Sequence, residues 1–142
     1  MTRFASVALV DPRGWVLLQE RDEHAVIAPE RWGLAGGHVE PGEELLAAAV
    51  RELAEETGIA LAPGELELIG EYDVHHVETD SDDILAFYAA PTTLRDTDVV
   101  VGEGRQIVFV DPVVVPTLPL TDSARQVLLP FLDSPRYARM CR

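Results

Sequence analysis

Residues 37–59 read GHVEPGEELLAAAVRELAEETGI. From Glu43 to Thr57 the run is dominated by Ala, Leu and Glu, all strong helix formers. Pro41-Gly42 supplies an entry turn, and Gly58 stands where a left-handed C-terminal cap is expected. Glu43 and Glu44, read as the first turn, suit the positive end of the helix dipole. At ~100° per residue, Leu46, Val50, Leu53 and Thr57 form one stripe, expected to face a core. Glu52, Glu55 and Glu56 stand at i, i+3 and i+4 and fall within about 100° of arc on a different face. Like charges at that spacing weaken a helix and call for a compensating cation. Donors that are all oxygens favour a hard divalent ion such as Mg²⁺ or Mn²⁺. Three glutamates alone would read as a solvated acidic face; the residues spaced around them reverse that judgement.

Gly37, Glu43, Arg51, Glu52, Leu53, Glu55, Glu56, Gly58 and Ile59 fill every specified position of G-x5-E-x7-R-E-U-x-E-E-x-G-U, with U aliphatic. A chance match in a chain of this length is on the order of one in a million. The segment resembles the Nudix box, and the chain looks like a small, MutT-like Nudix hydrolase. Arg31-Trp32-Gly33-Leu34-Ala35-Gly36-Gly37 is similar to the family's W-x-x-P-G-G approach, with Ala35 in place of the usual proline. The resemblance implies an α/β/α sandwich around a central mixed sheet. It implies hydrolysis of a diphosphate linked to another moiety, with Glu52, Glu55, Glu56 and the Gly37 carbonyl as ligands of Mg²⁺ or Mn²⁺. Arg51 and Glu43 match the box's orienting residues. The helix geometry agrees for Arg51, which lies one turn before Glu55 and can pair with it at i, i+4.

The rest of the chain fits one domain. Its 142 residues suffice for a single core, and the expected division is residues 1–133 as the domain and 134–142 as a loose tail. Apolar residues make up 47%, which opposes disorder. The net charge of −14 comes from 25 acidic and 11 basic residues; every basic residue is Arg, and Lys and Asn are absent. Such acidity opposes binding to nucleic acid polymers or anionic membrane surfaces. A small polyanionic substrate would need a metal or local arginines to offset the field. Cys141 is the single cysteine, so no internal disulfide is expected. With neither a signal peptide nor a membrane-length apolar run, the expected compartment is the cytoplasm.

Phe4 to Val10 and Trp15 to Gln19 read as strands joined by the turn Asp11-Pro12-Arg13-Gly14. Residues 22–31 read as a loop. Leu66 to Val77, Ile84 to Ala90 and Gln106 to Val110 read as further strands. Asp122 to Leu132 has helical spacing, with Thr121 or Asp122 as its cap and Pro130 as an interruption. Strands flanking one helix, with a second helix closing the chain, lead to a mixed sheet covered on both sides.

Outside the box, Glu103 lies between Gly102 and Gly104, in a loop able to bring a further carboxylate to the metal. Several Nudix enzymes use a glutamate so placed as ligand or base. Arg21 ends the second strand, where MutT-like relatives contact phosphate with a guanidinium. His75 and His76 are neighbours on a strand and point to opposite faces, so one of them can line a substrate pocket; His75 is the residue chosen. Catalysis is expected at Glu52, Glu55, Glu56, Arg51, Glu43 and Glu103, with either one of the box glutamates or Glu103 as base.

For the substrate, Val74 replaces the proline of ADP-ribose hydrolases, and His75 or His76 replaces the tyrosine of dinucleoside polyphosphate hydrolases. The favoured reaction is cleavage of a nucleoside triphosphate to monophosphate and pyrophosphate. The asparagine that reads the purine in one branch of the family is missing, and Asp122 stands near the corresponding helix start. Hydrolysis of ADP-ribose or dinucleoside polyphosphates, or a non-catalytic nucleotide sensor, are the alternatives. Many members form homodimers.

Overall fold

The computed structural model describes residues 2–25, 29–77, 79–102 and 104–141. Among these, seven strands form one mixed sheet: β1 (Arg3–Val10), β2 (Val16–Glu20), β3 (Trp32–Gly33), β4 (Ala35–His38), β5 (Glu67–His76), β6 (Ser81–Pro91) and β7 (Gln106–Val110). The main path runs β3-β2-β1-β6-β5, with β4 on β1 and β7 on β2. Only β1 and β6 pair in parallel, over eight residues from Arg3–Ile84 to Val10–Pro91; the other ladders are antiparallel.

Among the described residues there are three α-helices, α1 (Leu45–Thr57), α2 (Asp122–Leu132) and α3 (Pro135–Met140), besides short 3-10 turns at Pro63–Glu65, Asp96–Asp98 and Val115–Thr117. Alternation along β1 divides the core. Ala5, Val7 and Leu9 join Ala48, Ala49 and Leu53 of α1 on one face. On the other, Ala8 and Val10 join Ala124, Val127, Leu128 and Phe131 of α2. Helices on both faces make the expected α/β/α sandwich.

Local chemistry explains the corners. At the first hairpin, Gly14 adopts φ 81° and the buried Asp11 carboxylate accepts from the Arg13 and Trp15 backbone N–H groups and from the Arg13 guanidinium. Thr121 caps α2, its Oγ accepting from the Ala124 N–H at 3.2 Å. Pro130 falls in the last turn of α2, where it has no N–H to offer the Gln126 carbonyl, and the helix ends two residues later.

Three details differ from the sequence reading. Helix α1 begins at Leu45 with Glu44 as N-cap, so Glu43 and Glu44 precede its first turn. Ala48 and Ala49 are more deeply buried than Leu46 and Val50, so the core stripe is rotated toward the small residues that let α1 approach the sheet. The tail expected to be loose contains α3, because Tyr137 packs edge-on against Phe131 with centroids 5.6 Å apart and its hydroxyl donates to the Gly14 carbonyl.

Candidate active site

Helix α1 packs against β4 and β1, and at Gly37 a helix side chain lies directly over the strand. A Cβ on Gly37 would stand 2.6 Å from the Glu52 carboxyl carbon, so the carboxylate lies directly against β4. The Gly36 N–H donates to Glu56 Oε2 at 3.1 Å. Glu52 and Glu56, one turn apart, therefore turn toward the Gly36-Gly37 backbone. The Glu55 side chain turns outward and is 59% exposed. The three carboxylates expected on one face are thus divided, two inward and one outward. Among the described residues no three acidic, His or Cys side chains converge into a ready metal cage.

Arg51 occupies the ground between them. Its Nε and Nη2 bind both oxygens of Glu43 at 2.8 and 2.9 Å. Its Nη1 reaches Glu52 Oε1 at 2.9 Å and Glu55 Oε2 at 3.2 Å, and Nη2 also donates to the His38 carbonyl at 3.1 Å. The i, i+4 contact with Glu55 is present within a larger hub. The two-pronged hydrogen bond from Arg51, helped by the Glu40 N–H, lowers the Glu43 pKa to about 2. The same Glu43 contact holds Arg51 above its ordinary value.

A cleft of about 610 Å³ takes in Glu52, Glu56, Gly37 and Arg21. Asp122 lines it too, but its oxygens already accept from the Val77 N–H at 3.0 Å and from Arg125. Burial pushes the Asp122 carboxyl up, and those two hydrogen bonds outweigh it, leaving a net lowering. The carboxylate therefore ties α2 to the end of β5 instead of standing ready for a ligand.

His76, not His75, lines the cleft. The β5 pleat sends His75 outward, where its Nδ1 lies 2.8 Å from Asp82 and its Nε2 3.4 Å from Asp80. The hydrogen bond to Asp82 raises the His75 pKa. Glu103 lies outside the described residues. Its surroundings are anchored: the Val100 and Gly102 N–H groups donate to the Thr57 and Glu56 carbonyls, and the Arg105 N–H donates to the Glu20 carbonyl. The first two bonds supply donors to carbonyls at the open end of α1.

The cleft also contains residues the sequence reading passed over, notably Ser6 and Thr121, with Phe4 beside His38. Ser6 had a signal, as a lone hydroxyl within the apolar run of β1. Oxygen-only donors from Glu52, Glu56 and the Gly37 carbonyl, beside a glycine that leaves room for a carboxylate, fit a hard divalent cation.

The NUDIX domain family model matches residues 2–129. Over 55 residues the chain is 47% identical to the m7GpppN-mRNA hydrolase NUDT17 of Xenopus laevis, a stretch covering 39% of this chain and 19% of that protein. The chain thus spans about a fifth of the length of that curated relative. A MutT protein from Methanosarcina mazei Go1 superposes with a TM-score of 0.74 at 25% identity, covering 97% of this chain and 93% of that one. A MutT NUDIX hydrolase from Burkholderia pseudomallei gives a TM-score of 0.74 at 26% identity over 88% of this chain and 93% of that one.

Proposed function

Given that this chain belongs to the NUDIX domain family, we propose that it is a divalent-metal-dependent hydrolase. It cleaves the phosphoanhydride of a nucleoside diphosphate linked to another group, and the first choice is a nucleoside triphosphate giving monophosphate and pyrophosphate. The observation that carries this reading is the convergence of Glu52 and Glu56 on the Gly36-Gly37 backbone inside the cleft, braced by Arg51.

Glu52, Glu56 and the Gly37 carbonyl, with Glu55, would hold Mg²⁺ or Mn²⁺. Such an ion, when bound, offsets phosphate charge and lowers the pKa of water. A glutamate oxygen accepts the proton of the attacking water. The water oxygen bonds to phosphorus as the bridging P–O bond breaks, and its electron pair departs on the leaving phosphate. Arg51 holds the Glu52 and Glu55 rotamers, and Arg21, which lines the cleft, would meet phosphate oxygens. The likeness to the Xenopus protein adds a dinucleoside triphosphate of the cap type as a second substrate class.

Purified protein with Mg²⁺ is to be screened against nucleoside triphosphates, oxidised nucleotides, ADP-ribose, dinucleoside polyphosphates and a methylated cap analogue. At least one should be hydrolysed, and Glu55→Gln and Glu56→Gln should cut turnover about 10²-fold or more with unchanged circular dichroism. Near-normal turnover in both variants refutes the assigned roles, and no metal-dependent turnover on any substrate refutes the hydrolase.

A further inference from the structure

The cleft has a second half that the phosphate chemistry leaves unused. Along β1, Ala5 and Val7 face α1, so Ser6 faces the α2 side together with Phe4. Ser6 is only 7% exposed, and its Oγ is buried with no hydrogen-bond partner. Among the described residues, His76 Nε2 is the other buried side-chain polar atom in this condition. Asp83 Oδ2 lies 2.9 Å from it but off the line of the ring N–H, so the pair is close in charge and poor as a hydrogen bond. Asp83 is itself held from the other side, where its Oδ1 accepts from the Thr2 N–H at 3.1 Å.

Buried polar groups without partners are rare because the lost hydration is not returned. Two of them, lining one cleft, mark a place where something else completes the hydrogen bonds. The surrounding walls include the apolar side chains of Phe4, Leu34, Val74 and Leu85, with the His38 ring centroid 4.4 Å from that of Phe4. The carboxylates of Asp83 and Asp122 border this half and disfavour an anionic group.

We propose that Ser6 and His76 are the specificity-determining residues for the group attached to the diphosphate, reading the edge of a planar, non-anionic ring seated against Phe4. This rests on the reading that the Glu52 and Glu56 half receives the phosphates.

The test measures binding, not turnover. Wild type, Ser6→Ala and His76→Phe are titrated calorimetrically with AMP, GMP, CMP, UMP and ribose 5-phosphate in Mg²⁺, and their melting temperatures are taken without ligand. At least one nucleotide should bind wild type more tightly than ribose 5-phosphate. Its Kd should rise about three- to tenfold in Ser6→Ala, the factor expected for one neutral hydrogen bond. His76→Phe should move it in the same direction. Ribose 5-phosphate should bind all three proteins alike, and free Ser6→Ala should melt no lower than wild type, because the hydroxyl removed had no partner. The proposal is overturned if ribose 5-phosphate matches the best nucleotide, if Ser6→Ala binds every nucleotide as wild type does, or if Ser6→Ala melts lower. A protein that binds as stated but never hydrolyses would refute the hydrolase reading and leave this one standing.

Discussion

Five oxygens surround one guanidinium at Arg51: both of Glu43, one each of Glu52 and Glu55, and the His38 carbonyl. The planar fork of arginine can meet several carboxylates at once, which the single ammonium of lysine cannot do with the same direction. Holding Glu43 ionised has a consequence for acid tolerance. Its folded pKa of about 2 lies below the ordinary 4.5, so its stabilising contribution is present above the ordinary value and fades as pH falls toward the folded one. Denaturant unfolding of wild type and Glu43→Gln should therefore show a stability gap that is widest above about pH 5 and narrows steadily toward about pH 2. A gap that is constant across this range would mean that the carboxylate charge is not what Arg51 recognises.

Strand β4 and helix α1 form the unit that sets the carboxylates, and two adjacent glycines in it should respond differently to one added methyl. On Gly36 a Cβ would stand 2.3 Å from the Ala5 carbonyl oxygen and 2.7 Å from the Ser6 Cα, backbone atoms fixed by the β1–β4 ladder. Gly36→Ala should lose roughly 1–3 kcal/mol or more of stability, as overpacking does. On Gly37 the nearest atoms to the Cβ are those of the Glu52 carboxylate, the end of a side chain that can turn away. Gly37→Ala should keep its melting temperature close to wild type while turnover collapses; full turnover in that variant would refute the placement of Glu52 against the strand. Both effects centre on β4, which was not readable in advance although its neighbours β1 and α1 were. The β1, β2, β5, β6 and β7 strands and α2 emerged from apolar periodicity, and the box from its spacing. Strands β3 and β4 did not: they are short and glycine-rich, with no alternation to detect, and their pairing comes from β1 and β2. The inward turn of Glu52 and Glu56 was hidden for a related reason, since a helix wheel cannot register that a glycine partner lets a carboxylate share the buried face. The choice between His75 and His76 depended on the absolute face of β5, which alternation leaves open. Asp122 read as a free ligand because its partners Val77 and Arg125 meet it only through the fold.

Across the whole molecule the net charge is −14, and a polyanionic substrate must enter that field. Divalent cations should accordingly act on stability as well as on chemistry. Mg²⁺ at about a hundred times its Kd stabilises the native state by about 2.7 kcal/mol through mass action. The melting temperature should rise with Mg²⁺, fall back with EDTA, and stay flat in a Glu52→Gln/Glu56→Gln double variant; an equal rise in that variant would place the ions elsewhere on the surface. One consequence concerns how the chain reaches this state. The parallel ladder joins Arg3–Val10 to residues 84–91, about eighty positions later. On a ribosome adding ~5–20 residues per second, the first strand waits roughly 4–16 s for the segment that will flank it. During that interval, of the partners that β1 has in the folded sheet, only the nearer segments β2 and β4 can already cover the apolar run FASVALV.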